Sequence, residues 1–150
     1  MKIKNEIKLS FPSKSCNEGF ARSAAAAFAA LADPSVSDIS DIKTAVSEAV
    51  TNCIVHAYRN KTGIIEMTAR ILENGRFYIK IKDSGCGISD VKAAMQPLFT
   101  TAPEEERAGL GFAVMESFMD KVTVRSRLGK GTTVIMEKQL HTKDGGNEQP

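Results

Sequence analysis

Cysteine is scarce in this chain. Cys16, Cys53 and Cys86 are odd in number and far apart, so neither a disulfide framework nor a zinc-ligand pattern is present. A dominant charge is missing too: 20 Lys and Arg stand against 18 Asp and Glu, a formal net charge of +2. The basic residues are scattered rather than gathered into a stripe, which argues against nucleic acid as a direct partner. No long hydrophobic run occurs. The longest near-continuous one, Ala24 to Ala32, is too short to span a bilayer. The N-terminus alternates Lys with apolar residues and has no signal-peptide core. The expectation is a soluble protein of a reducing cytoplasm with no membrane partner. A P-loop is also lacking, because Gly129-Lys130 has neither the preceding glycine spacing nor a following Ser or Thr. The protein-kinase signature set is absent, and no internal repeat is visible.

What remains is long enough for one domain with a proper core, at 150 residues. Ile3, Ile7, Leu9 and Phe11 alternate with polar residues and predict a half-buried strand. After Pro12-Ser13, an Ala-rich helix is expected from about Ser15 to Ala32, with the stripe Phe20, Ala24, Ala27/Phe28 and Leu31 inward. Asp33-Pro34-Ser35 breaks it, and Ser37 or Asp38 can cap a second helix running to about Tyr58. The period then becomes two. Two strands flank the hairpin signal Asn74-Gly75, the second ending at Asp83. From Ser84 to Ala108 patterning is poor, apart from a short helix near Val91 to Met95, and a functional flexible loop is expected. A helix from about Leu110 to Met119 and strands Lys121 to Arg127 and Thr132 to Lys138 complete residues 1–140. Residues 141–150 are polar and Gly-rich and are expected to be a disordered tail. The element order predicts an α+β two-layer sandwich, helices on one face of a mixed β-sheet.

Four short motifs carry the chemistry. Glu48 and Asn52, in Glu48-Ala49-Val50-Thr51-Asn52, lie one helical turn apart and project from the same side. Such a pair is either a solvated face or a base beside a metal ligand. Asp83 ends a strand and opens Asp83-Ser84-Gly85-Cys86-Gly87-Ile88, which reads as a turn or as an acceptor for a purine amino group. Gly85 and Gly87 would let the base lie against backbone. Gly109 and Gly111 flank the expected start of a helix, where N–H groups favour phosphate. Arg107 is the nearest positive charge; it either bridges to a terminal phosphate or pairs with Glu104, Glu105 or Glu106. In Gly129-Lys130-Gly131-Thr132-Thr133, Thr132, in preference to Thr133, could add a hydroxyl to the ring, unless it is a plain strand threonine. Arg22, opposite the expected stripe of the first helix, is solvated surface or a partner contact.

The order and context of these motifs resemble the ATP-binding family of histidine kinases, Hsp90-type chaperones, gyrase B and MutL, roughly from Ile3 to Lys138. The local text EAVTNCIVHAY (Glu48 to Tyr58), MQPLFTT (Met95 to Thr101), GLGFAVMESFMD (Gly109 to Asp120) and GKGTTV (Gly129 to Val134) resembles the branch of anti-sigma serine kinases that regulate sporulation. That resemblance implies ATP and Mg²⁺, with Asn52 on the metal, Glu48 as base and Asp83 on adenine. It implies two partners, a sigma factor of RNA polymerase and an anti-anti-sigma protein phosphorylated on serine, and a homodimer. The chain opens directly on its first strand and its histidines are only His56 and His141, so the phosphoacceptor is expected on another protein. Two alternatives stay open: a stress-response switch kinase of the same fold for another sigma factor, or an ATP-dependent binding module without kinase activity.

Overall fold

Alternation of period two builds five strands, and helical periodicity covers one side of them. The computed structural model describes residues 2–96 and 103–142, the side chains of 103–110 excepted. In chain order the elements are β1 (Ile3–Pro12), α1 (Cys16–Ala30), α2 (Val36–Asn52), a π-helical turn (Cys53–Ala57), β2 (Ile64–Leu72), β3 (Arg76–Asp83), α3 (Val91–Ala94), α4 (Pro103–Phe118), β4 (Lys121–Arg127) and β5 (Gly131–Gln139). The sheet order is β1-β2-β3-β5-β4. Every neighbouring pair is antiparallel, so the expected mixed sheet is corrected to an antiparallel one. The reason lies in the last hairpin. β5 folds back from β4 and inserts between it and β3, so the two strands that run the same way never pair.

The core is one cluster between sheet and helices. Ile65, Met67, Ala69 and Ile71 of β2 and Phe77, Ile79 and Ile81 of β3 point into it, against Ile42, Val46 and Val50 of α2. Their alternates Glu66, Arg70, Tyr78, Lys80 and Lys82 are exposed or half-buried on the opposite face. Each large side chain so buried contributes about 1.5–3 kcal/mol. This packing brings the end of β3, at Asp83, beside the end of α2, at Asn52. Among the described residues no helix is long and apolar enough to cross a membrane.

Several local expectations are corrected. In α1 the buried residues are Ala21, Ala25, Phe28 and Ala29, while Phe20 is 56% and Leu31 68% exposed. Runs of alanine leave the stripe ill-defined, and small side chains let α1 approach α2 closely. The cap of α2 is Ser35, whose Oγ accepts the Asp38 N–H at 3.1 Å. Asp38 is inside the helix and buried, and it accepts the His141 N–H at 2.7 Å. The Ser35 N–H in turn donates to the His141 carbonyl at 2.7 Å, and Thr142 bridges to Pro34. His141 and Thr142 therefore belong to the fold rather than to a disordered tail; 143–150 lie outside the described residues. Helix α4 starts at Pro103, earlier than expected. Proline is favoured in a first helical turn.

Candidate nucleotide site

A cavity of about 680 Å³ opens where the helix end, β3, β5 and α4 converge. Asn52, Cys53 and His56 line it from the helical side, Asp83 and Thr132 from the sheet, and Phe112 from α4. The helix does not continue regularly to Tyr58. After Asn52 it widens into the π turn, and the Tyr58 N–H reaches the Cys53 carbonyl at 3.1 Å. Such turns often mark functional sites.

Asp83 is buried, and its two oxygens are held differently. Oδ1 accepts the Gly85 N–H at 2.9 Å and the Thr132 N–H at 3.2 Å. Oδ2 accepts the Cys53 thiol at 3.4 Å. A buried carboxylate needs such donors, because burial without them is costly. Burial first, and then the Asp83 carboxylate, push the Cys53 thiol well above its ordinary range, so it remains a donor. Thr132 pairs with Asp83 across β3 and β5, is buried and lines the cavity; Thr133 is not in the lining. The Ser126 hydroxyl donates to the Gly131 carbonyl at 2.9 Å, which makes Thr132 the donor in the 2.8 Å Ser126–Thr132 contact. Thr132 then keeps acceptor lone pairs. Two acceptors side by side suit an amino group that carries two protons.

The glycines do something other than expected. A Cβ on Gly85 would stand 2.3 Å from the Ala57 carbonyl oxygen, and one on Gly87 2.0 Å from that of Arg127. Their missing side chains serve chain-to-chain packing, with Gly87 also at φ 76°, rather than a bare platform for a base. Gly109 and Gly111 lie within α4, not at its start, so their N–H groups belong to the helix ladder and form no helix-start phosphate cradle. Gly111 instead faces Asn52: a Cβ there would press to 2.9 Å from Nδ2 and 3.1 Å from Oδ1. The Arg107 side chain and most of the Met95 to Thr101 segment lie outside the described residues.

Glu48 does not line this cavity. It lines a second cleft, of about 410 Å³ between α1 and α2, together with Arg22, Lys43 and Ser47. Arg22 is held by Glu18 at 3.7 Å. Burial first, and then the nearby Glu18 carboxylate, raise the Glu48 carboxyl above its ordinary value. His56 is pushed down by burial and then by Arg59, which keeps its ring neutral.

Sequence reasoning passed over Cys53, Ser126 and Tyr58. The Tyr58 hydroxyl accepts the Ser84 N–H at 2.7 Å and donates to the Ile64 carbonyl at 2.7 Å, clamping the loop after Asp83. Ser126 stands opposite Thr132 in the β4–β5 register. Period-two alternation could have found Ser126; nothing local in the sequence announces the other two.

The family profile described as "Histidine kinase-like ATPase domain" matches residues 11–138. The chain belongs to the histidine kinase-like ATPase family. Among similar members of this ATPase family is the anti-sigma F factor of Caldanaerobacter subterraneus subsp. tengcongensis, 59% identical over 93% of this chain and 97% of the relative. The anti-sigma F factor of Geobacillus kaustophilus is 49% identical over 92% and 94%. In three dimensions the chain is similar to the RsbU and RsbW domains of a Mycobacterium tuberculosis protein, with a TM-score of 0.67 at 20% identity. That match covers 91% of this chain and 33% of the other. The histidine kinase domain of the Erythrobacter litoralis EL346 blue-light activated histidine kinase gives 0.57 at 18% identity, covering 83% and 60%. These neighbours share the ATPase fold.

In this ATPase fold, Asn52 fits a metal-bound nucleotide. Among the described residues its Nδ2 is buried without a hydrogen-bond partner, a spare donor at the cavity wall that suits a phosphate oxygen, while its Oδ1 is the atom that could take a cation. Among the described residues no group of three or more His, Cys, Asp or Glu converges. A single neutral amide suits Mg²⁺, which keeps waters and phosphate oxygens as its other ligands.

Proposed function

We propose that this chain is an anti-sigma factor that binds Mg-ATP and phosphorylates a serine of an anti-anti-sigma protein. The observation that carries the proposal is the division of labour along α2. One turn apart, Asn52 lines the nucleotide cavity and Glu48 lines the outer cleft with Arg22. The metal ligand thus faces the nucleotide and the base faces the side from which a protein acceptor can come. Relatives at 59% and 49% identity that carry the name anti-sigma F factor support both the sigma-factor partner and the sporulation setting. A sigma-factor partner in turn implies the cytoplasm. A homodimer rests on the resemblance alone.

When bound, Mg²⁺ would supply positive charge that neutralises the phosphates. The chain's own residues do the positioning. Asp83 and Thr132 accept from the adenine amino group, while Asn52 offers its amide oxygen on the phosphate side. Gly85 and Gly87 hold the loop that frames the cavity, and Gly111 keeps α4 clear of Asn52. Glu48 takes the proton of the serine hydroxyl, with Arg22 beside it as the partner contact. A contact of Arg107 with the terminal phosphate belongs to the same proposal. Phosphoryl transfer has a loose transition state, so positioning and charge stabilisation supply most of the catalysis.

The test is incubation with ATP, Mg²⁺ and the anti-anti-sigma protein of the same organism, read by mass spectrometry for phosphoserine. Phosphoserine on that protein is the expected result. Nucleotide-dependent complex formation without phosphoserine would instead identify a binding module.

A further inference from the structure

The main chain anchors Asp83 from one side only. The two N–H groups on Oδ1 come from the main chain, at Gly85 and Thr132. They fix one oxygen but leave the carboxylate plane free to turn about it. Among the described residues the hydrogen-bond donor to Oδ2 is the Cys53 thiol, at 3.4 Å. Cys53 is 4% exposed and opens the π turn directly after Asn52. Cys53 lines the same cavity as Asp83 and Thr132. Hydrogen bonds to a carboxylate prefer the plane of the group. The thiol therefore sets the plane in which the remaining lone pair of Oδ2 meets an incoming donor.

We propose that Cys53 is a positioning and specificity-determining residue for purine recognition, acting through Asp83 to select a 6-amino over a 6-oxo ring. The inference rests on the adenine-nucleotide reading given above. An amino group at the 6 position donates to the remaining lone pair of Oδ2. A carbonyl there places lone pair against lone pair, and a carboxylate held at both oxygens cannot rotate away.

The test compares ATP with purine riboside triphosphate, which lacks the 6-amino group, by calorimetry in Mg²⁺. Cys53→Ala removes the donor, Cys53→Ser keeps one, and Cys53→Val is a donor-free variant that leaves no cavity should alanine unfold the chain. A weak donor on a charged acceptor predicts that Cys53→Ala loses about three- to tenfold in ATP affinity. Affinity for the 6-unsubstituted analogue should change less than about twofold, and Cys53→Ser should restore ATP binding. An equal fall for both nucleotides would make Cys53 a packing residue and overturn the proposal, as would unchanged ATP affinity in Cys53→Ala. If the unmutated protein binds the analogue as tightly as ATP, the adenine reading itself fails, and this proposal with it.

Discussion

Asp83→Asn is the substitution whose effect can be worked most fully from the structure. The new amide must still satisfy the Gly85 and Thr132 N–H groups, at 2.9 and 3.2 Å from Oδ1, so its oxygen turns to them. Its NH₂ then occupies the place of Oδ2, facing the Cys53 thiol and the purine. Donor meets donor on both sides. A buried group left unsatisfied in this way costs about 1–3 kcal/mol, so ATP affinity should fall about 5- to 150-fold. Folding should suffer little from the lost nucleotide contact, because the main-chain hydrogen bonds that hold the loop survive. GTP offers a carbonyl at the same position, so its relative affinity should rise. Calorimetric titration of ATP and GTP, beside urea denaturation of the free protein, gives all three quantities. ATP affinity unchanged in Asp83→Asn, or GTP competing as well as ATP against the unmutated protein, would refute the reasoning.

Asn52→Ala should leave the fold intact and weaken Mg-ATP binding at least about tenfold, roughly 1.4 kcal/mol, in calorimetry at matched Mg²⁺; equal affinity removes Asn52 from the metal site. The raised Glu48 carboxyl predicts that phosphotransfer loses its base, on acidification, at a higher pH than an ordinary glutamate would. Glu18→Gln removes one of the two causes, so the acid limb of the pH–rate profile should move to lower pH, while the larger burial contribution stays. A limb that stays put or moves to higher pH contradicts this. Phe77 is fully buried on the central strand β3, and Phe77→Ala should cost about 3–5 kcal/mol in urea denaturation.

Much of this architecture was legible in the sequence because strands announce themselves by alternation. β4 was read to the residue, and the hairpin at Asn74-Gly75 joins β2 to β3 as expected. Pairing order was less legible. Nothing local tells that β5 inserts between β4 and β3, since strand order is set by which edges the whole core leaves open. The alanine run of α1 hid its buried face, because small side chains spread around a helix mark no single stripe. Motif spacing located Asp83 and Asn52, which line one cavity, but did not tell that Glu48 lines another. The π turn adds a separate difficulty: it changes which residues after Asn52 face inward, and no spacing rule anticipates it. The motifs do not require a cysteine at position 53, so sequence reasoning assigns Cys53 no catalytic role. Its partner Asp83 is 30 residues away, and only the fold brings thiol and carboxylate together.

The account stands most directly on the separation of nucleotide binding from phosphotransfer at Glu48. Glu48→Gln keeps size and helix position and removes the proton acceptor. One preparation should be measured for ATP binding, sigma-factor co-elution and phosphoserine formation. General-base catalysis predicts phosphorylation slower by about 10²–10⁴-fold, with the other two nearly unchanged. Phosphorylation at the unmutated rate would show that Glu48 is not the base, and joint loss of all three would make it a structural residue of α2.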